Sequence, residues 1–243
     1  SGGGSMYTPA ISPVDPKFMM VNCDMSDAFL SEDGGANWRM IHHSQLRGNT
    51  ACRPAFHPVD RNVIFAATGW SGGLAVSYDA GASWAPLGNI EGDLCGEIVI
   101  DPGRPSRMLA GTAAASWLSE DGGKHWTRCG APEPGRRAGP RGRAVGFHFD
   151  QTSPAGKRTC FAATAAGVWR SDDSGATWRE KSAGLPWRGI KSFAGGSNAA
   201  DRVVALYCSV PAKVVRGKAA GGVYRSLDRG EHWARAMGPG SNQ

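Results

Sequence analysis

Short apolar stretches separated by polar turns run through almost the whole chain. In the first unit, an apolar stretch at 9–11 is followed by a turn at 12–16, a longer apolar stretch at 18–23 and a third at 28–30. A polar segment then leads to a tryptophan that opens a fourth stretch. The same order returns four more times, and no stretch shows the period of a helix. The pattern predicts units of four short antiparallel strands, A to D, which is typical of propeller blades.

The polar segment before strand D repeats with the pattern S-x-D-x-G-x-x-W. Its five copies span residues 31–38, 77–84, 119–126, 171–178 and 226–233. The spacing between successive aspartates runs from 42 residues, Asp79 to Asp121, to 55 residues, Asp173 to Asp228. Four positions kept in phase through five copies indicate a repeated folding unit.

Each fixed residue of this segment has a physical task in a tight turn. The carboxylate can accept hydrogen bonds from backbone N–H groups of its own turn, and the glycine can take a positive φ. The tryptophan opens the next strand and fills the space under the turn. We therefore interpret the five aspartates as structural rather than catalytic: Asp33, Asp79, Asp121, Asp173 and Asp228.

The five segments resemble Asp-box (BNR) repeats, and the resemblance covers the chain from about Tyr7 onward. It implies an all-β fold, a β-propeller of four-stranded antiparallel blades with five blades visible. Proteins with such repeats include sialidases, xyloglucanase-type glycoside hydrolases and sortilin-type receptors. The five units leave three arrangements open: a five-bladed ring, a part of a larger ring, or a propeller completed by a further chain.

The predicted domain organisation is one propeller domain after a short linker. Residues 1–6 are Gly- and Ser-rich and are expected to be a linker or tag remnant. Residues 7–243 form the domain, with blades at about 7–46, 47–92, 93–135, 143–186 and 187–238. The residue four before each box aspartate is aromatic in four copies, which predicts packing between blades; these residues are Phe29, Trp117, Trp169 and Tyr224, with Ala75 as the exception.

Composition narrows the possible partners and location. No apolar run approaches the ~20 residues of a membrane helix, and no signal peptide is visible. The net charge of +6 is spread over the chain, so a nucleic-acid partner is not expected. The six cysteines lack zinc-site spacing and are expected to be buried free thiols, although disulfides stay open if the protein is secreted. No metal or cofactor is expected.

Asp24 is the sharpest catalytic candidate. The segment 21–29 resembles the first-blade segment of xyloglucanase-type hydrolases, in which an aspartate after strand B acts as the base of an inverting reaction. The match departs at Ser26 and Asp27, where that family tends to have a Gly pair. An inverting hydrolase needs a second carboxylate, and Asp27, Glu91 and Asp93 are the candidates. The alternative is that Asp24 stabilises its loop.

The remaining candidates lie in the B–C and D–A connections, the loops at which propeller ligands usually bind. Trp70 and Trp187 lie outside the boxes and C strands and suit stacking on sugars, although each could instead cap a blade edge. Adjacent histidines could contact a substrate or a metal, but no third ligand is evident. The arginines are candidates for a basic rim; these histidines and arginines are His42, His43, Arg143 and Arg188.

Two functions follow as hypotheses. The first is an extracellular or periplasmic carbohydrate-active protein, a glycoside-hydrolase-like propeller that acts on or binds a polysaccharide. The second is a non-catalytic scaffold that binds peptide or protein, as sortilin-type receptors and assembly factors do. A sialidase activity has less support, because Cys52-Arg53-Pro54 only faintly matches the arginine segment expected of sialidases.

Overall fold

The structure, a computed structural model, describes residues 4–25, 27–70, 73–90, 92–130, 139–215 and 217–237. These residues form five four-stranded antiparallel sheets and one short 3-10 helix, Ala155–Lys157. The sheets are five propeller blades, so the predicted all-β fold class of four-stranded antiparallel blades is confirmed. No helix in the described ranges is long and apolar enough to cross a membrane.

Each blade is built from four strands that follow one another in the chain. The strands of blades 1 to 3 are β1 (Met6–Ile11), β2 (Met19–Cys23), β3 (Ala28–Ser31), β4 (Arg39–Ile41), β5 (Ala55–Phe56), β6 (Ile64–Ala67), β7 (Leu74–Ser77), β8 (Ala85–Leu87), β9 (Val99–Ile100), β10 (Met108–Gly111), β11 (Ser116–Ser119) and β12 (Thr127–Arg128). The strands of blades 4 and 5 are β13 (Ala144–Phe149), β14 (Cys160–Thr164), β15 (Gly167–Ser171), β16 (Arg179–Glu180), β17 (Ser192–Asn198), β18 (Val203–Val215), β19 (Lys218–Ser226) and β20 (Ala234–Met237).

The chain divides into two compact units. The first contains blades 1 and 2 and most of blade 3, and the second contains blades 4 and 5. In the first unit, one apolar cluster joins blades 1 and 2 through Phe18, Leu30 and Ile64, and another joins blades 2 and 3 through Phe65 and Met108. Full burial of each such side chain contributes about 1.5–3 kcal/mol, so these clusters dominate the stability of the unit.

The second unit has a comparable core. Phe161 and Val168 of blade 4 pack with Leu206, Tyr224 and Trp233 of blade 5. Every residue of β14 is buried, because the sheet is covered on both faces. The aromatic residues predicted on the C strands follow this packing: Trp169 and Tyr224 are buried, whereas Phe29 and Trp117 are half-buried.

One face of blade 1 carries an apolar groove. A groove of about 540 Å³ on this face is lined by apolar side chains that include Met6, Ile11, Met19 and Phe29. The opposite face of the same blade packs on blade 2 through Phe18 and its neighbours. Along β2, buried residues therefore alternate with half-buried ones, as successive side chains of a strand point to opposite faces of the sheet.

Three details differ from the sequence-based expectations. Strand β1 begins at Met6, which was expected to be in the linker, and Met6 pairs with Cys23. The sequence predicts the A strand of blade 3 over residues 96–100, but β9 is only two residues long. In the fifth unit the sequence predicts a long B–C loop over residues 209–221, but β18 and β19 continue there as a hairpin through the pair Lys213 and Ala220.

The six cysteines are buried and free. Burial raises the pKa of Cys52, and it raises the pKa of Cys129 and Cys208 to about 12. The thiols thus act as small apolar side chains of the core.

Candidate functional site

The five box aspartates are engaged within their own turns. In the first box, Asp33 accepts the Ser31 hydroxyl at 2.9 Å, the Asn37 backbone N–H at 2.9 Å and the Asn37 side-chain amide at 2.8 Å. The Ser31 hydroxyl in turn accepts the backbone N–H of Gly35, which has a positive φ of 93°. The other four boxes repeat this pattern with Asp79, Asp121, Asp173 and Asp228.

These hydrogen bonds hold the box carboxylates in the ionised form. The Asn37 backbone and side-chain donors, followed by the Ser31 hydroxyl, lower the pKa of Asp33 to about 2. The Ser83 hydroxyl and backbone N–H lower the pKa of Asp79 to about 2. A carboxylate whose pKa is held near 2 by its own turn is poorly suited to proton transfer, because a general acid or base needs a pKa near the working pH.

A different group of loops meets in the first unit, at the ends of the B strands of blades 1 and 2. A Cβ on Gly48 would overlap the backbone oxygen of Asp27, and a Cβ on Gly69 would overlap the Asn49 side chain. The backbone N–H of Gly69 donates to the carbonyl oxygen of Arg47 at 2.9 Å. The two B–C loops therefore lie against the segment that connects blades 1 and 2, and only glycine permits so close an approach.

Trp70 projects from this group of loops. Its side chain is 74% exposed, the largest exposed fraction of the tryptophans described. Its φ is +65°, a left-handed conformation that is uncommon for a bulky residue. The guanidinium carbon of Arg47 lies 5.9 Å from the centre of the Trp70 ring. A large aromatic ring is thus held in solvent by a strained backbone with a cation beside it.

A cavity of about 290 Å³ lies at the base of the same loop. Its lining includes Gln45, Thr68, Gly73, Leu74 and Ile90. Thr68 and Gly73 flank the Trp70 turn, and the backbone N–H of Thr68 donates to the Gly73 carbonyl at 3.1 Å. The residues on either side of the Trp70 turn therefore line a partly enclosed space with both polar and apolar walls.

Asp24 and Asp27 occupy the B–C loop of blade 1. Asp24 is exposed, and its Oδ1 accepts the backbone N–H of Ser5 at 2.8 Å. The chain just before Ser5 passes close to the carboxylate, since a Cβ on Gly4 would approach Asp24 Oδ1. Burial, with the charges of Asp24 and Cys23 as smaller causes, raises the pKa of the neighbouring Tyr7. Asp27 lies half-buried in the same loop, and its carbonyl accepts the Cys23 backbone N–H.

The remaining candidates of the first unit are dispersed. His42 and His43 are exposed, with ring centres 4.1 Å apart, and the His42 Nδ1 lies 2.8 Å from the Ser44 hydroxyl. Asp93 is exposed, and Glu91 lies outside the described residues. Across the described parts of the chain, no group of three or more His, Cys, Asp or Glu side chains is placed to hold a metal ion.

In the second unit, Trp187 is half-buried and packs against the core between blades 4 and 5. The Lys213 ammonium lies 5.2 Å from the centre of the Trp187 ring. Arg188 is exposed and forms an ion pair with Glu180. Arg143 is also exposed, and its carbonyl accepts the Ala165 backbone N–H at 2.8 Å. Of the two candidate tryptophans, Trp70 is the one that presents most of its ring to solvent.

Sequence reasoning missed three polar residues of the first unit. Arg47 contacts Trp70, and no local pattern of the sequence signals that contact. Asn22 is buried and donates to the Thr8 hydroxyl and to two carbonyl oxygens of the segment before blade 2. Glu97 pairs with Arg53 at 3.2 Å, which links blades 2 and 3. Asn22 could have been found as a polar residue within an otherwise apolar strand.

Comparison with known proteins gives matches at the level of structure. No protein-family model and no curated protein matches the sequence. An ancestral GH74 enzyme matches with a TM-score of 0.72 at 18% identity, over 97% of this chain and 32% of the enzyme. The GH74 xyloglucanase from Xanthomonas campestris matches with a TM-score of 0.66 at 18% identity, over 97% of this chain and 46% of the enzyme. The structure of YCF48 bound to D1 peptide matches with a TM-score of 0.57 at 12% identity, over 97% of this chain and 69% of YCF48.

This chain has the fold of these propellers. The resemblance to xyloglucanase-type proteins is therefore confirmed for the fold. The chain spans about a third to a half of the length of the two GH74 structures. One fold can carry different functions, so the similarity establishes the architecture of this chain only. Its function has to be argued from the site.

Proposed function

We propose that this chain is a carbohydrate-active propeller that binds polysaccharide at the Trp70 site. The observation that carries the proposal is the exposed Trp70 ring on a backbone of positive φ. Such a conformation costs on the order of 1–3 kcal/mol, and strain of this kind concentrates at functional sites. An exposed tryptophan also lacks the favourable free energy that burial of its apolar surface would give. A ligand that covers the ring recovers that free energy.

A sugar chain suits the geometry around Trp70. The ring offers a flat apolar surface for the C–H face of a pyranose, and the indole N–H can donate to a hydroxyl. The adjoining cavity, with Gln45 and Thr68 in its wall, offers polar groups for neighbouring hydroxyls. One GH74 structure of the same fold is named a xyloglucanase, which supports a polysaccharide ligand. An extracellular or periplasmic location is part of the proposal.

Binding at Trp70 is tested by affinity electrophoresis of the chain through gels that contain single polysaccharides. We expect retardation by at least one polymer, and Trp70→Ala should weaken the binding at least tenfold, about 1.4 kcal/mol. Tyr78→Ala is the matched control, because Tyr78 is also exposed but lies in a box turn. Equal retardation of both variants and the unaltered chain would contradict a Trp70 site.

Hydrolysis with Asp24 as the base is the finer part of the proposal. Asp24 is exposed, and its loop lies beside the segment that carries Arg47. Asp27 and Asp93 remain the candidates for the second carboxylate within the described residues. We expect Asp24→Asn to abolish release of reducing ends from a bound polymer while leaving retardation in the gel unchanged. Hydrolysis at the original rate in this variant would remove Asp24 from the mechanism.

The second candidate function is the binding of peptide or protein. It is favoured by the similarity to YCF48 in its complex with D1 peptide and by the closer agreement in chain length, 69% of YCF48. The exposed Arg143 and Arg188 would then contribute to a basic peptide-binding rim. A chain that is folded but is retarded by no polysaccharide would favour this function over the first.

A further inference from the structure

We propose that the Trp70 site is specific for an acidic polysaccharide and that Arg47 receives the carboxylate of a uronic acid unit. This inference rests on the proposed binding of polysaccharide at Trp70, and it adds the chemical class of the ligand. Its basis is the position of Arg47, whose guanidinium lies 5.9 Å from the centre of the exposed ring.

Arg47 is not one of the arginines that a carboxylate of the described residues holds. Arg61, Arg107 and Arg170 each pair with a carboxylate at 2.8–3.1 Å. Among the described residues, Arg47 has no carboxylate partner, and its side chain is exposed. Its backbone is fixed, since its carbonyl accepts the Gly69 N–H next to Trp70. The guanidinium is therefore presented beside the ring with its hydrogen-bond donors available.

The same combination of tryptophan and cation occurs independently in the second unit. There the Lys213 ammonium lies 5.2 Å from the centre of the Trp187 ring. Thus both tryptophans outside the boxes and C strands have a basic side chain over the ring. At exposed sites a cation–π contact contributes only about 0.5–1 kcal/mol. The contact with Trp70 therefore does not prevent the Arg47 guanidinium from binding an anionic ligand group.

A uronic acid unit satisfies both groups at once. Its C–H face can stack on the part of the exposed Trp70 ring that Arg47 leaves open, beside the guanidinium. Its carboxylate projects from the edge of the pyranose ring and can turn towards the guanidinium from there. Arginine recognises carboxylates through paired, charge-assisted hydrogen bonds, which a neutral sugar cannot accept with equal strength. The net charge of +6 also attracts a polyanion from a distance.

The test compares two polymers that differ only at the carboxyl group, polygalacturonate, in which it is charged, and the fully methyl-esterified form, in which it is a neutral ester. Binding of each is measured by calorimetry at 0.15 M salt. We expect the unaltered chain to bind polygalacturonate at least tenfold more tightly than the ester. Arg47→Gln should reduce this ratio to about twofold or less. Lys124→Gln removes the same charge from an exposed box turn and should leave the ratio unchanged.

Each outcome has a defined meaning. Equal affinity of the unaltered chain for the two polymers would overturn the assignment of an acidic ligand and leave the Trp70 proposal intact. A similar loss in Arg47→Gln and Lys124→Gln would show that only net charge matters, which also overturns it. If a folded chain binds neither these polymers nor any neutral polysaccharide, the proposed function itself fails.

Discussion

At the scale of the residue, one motif position has different consequences in different blades. The box tryptophan is 1% exposed in blade 4, where Trp178 donates to the Gly175 carbonyl at 2.8 Å. In blade 1 the equivalent Trp38 is 43% exposed, although it makes the corresponding bond to Gly35 at 3.0 Å. The local hydrogen bond is shared, so the difference in burial is set by what covers each blade.

This difference predicts unequal effects of the same substitution. Trp178→Ala should lower the free energy of unfolding by about 3–5 kcal/mol, because it leaves a cavity in a closed core. Trp38→Ala should lower it by about 1 kcal/mol, mainly through the lost hydrogen bond. Urea unfolding followed by circular dichroism measures both. Similar losses in the two variants would contradict the burial described for blade 1.

The box carboxylates predict a dependence of stability on pH. Their pKa values are lowered in the folded protein, to about 2 in Asp33 and Asp79. The unfolded chain therefore binds more protons in this range, and stability present above pH ~4 is lost as the pH falls towards 2. Asp79→Asn should lower Tm at pH 7, and its difference from the unaltered chain should narrow at pH 2.5. A difference that is the same at both pH values would contradict this account.

At the scale of the element, the B–C connections were predicted only in part from the sequence. The position of Trp70 outside the boxes and C strands was enough to place it in a loop. Its contact with Arg47 depends on the path of the segment around Gly48. That path is set by the close packing of Gly48 on the backbone of Asp27, which no residue pattern in the sequence signals. The hairpin of β18 and β19 was missed because Pro211 interrupts the apolar alternation, and the register shift between Val210 and Lys213 accommodates this interruption.

The outer part of this hairpin should be dispensable for folding. Val210 of β18 is buried, whereas Ala212, Lys213 and Val214 further along are exposed. Replacing residues 212–220 by Asn-Gly should therefore change the unfolding free energy by no more than about 0.5 kcal/mol. Leu206→Ala, a change in the buried part of the same strand, should cost about 2–5 kcal/mol. If the shortened chain lost as much unfolding free energy as Leu206→Ala, the outer hairpin would be shown to stabilise the blade.

At the scale of the whole molecule, the repeat made the fold class and the number of visible blades predictable. Five copies of one turn in phase with four apolar stretches leave few alternatives to a propeller. The open apolar groove on blade 1 was not predictable, because blades 1 and 2 have similar strand patterns and differ in what covers them. Completion of the propeller by a further chain stays a prediction.

The buried thiols predict chemical inertness of the native chain. All six cysteines are free and buried, and burial raises the pKa of Cys52, Cys129 and Cys208. Since the thiolate is the reactive form, Ellman's reagent should detect fewer than one thiol per native chain and six in guanidinium chloride. Six thiols reacting rapidly in the native chain would contradict the packing of the blades.

The most direct test of a polysaccharide site at Trp70 is a ¹⁹F NMR titration of the chain labelled with 5-fluorotryptophan. The nine tryptophans give separate signals, and Trp70→Phe assigns the one of interest. We predict that an oligosaccharide of a polymer that retards the chain shifts the Trp70 signal and leaves those of the buried Trp126, Trp178 and Trp233 in place. Saturable binding that leaves the Trp70 signal unmoved would contradict the account.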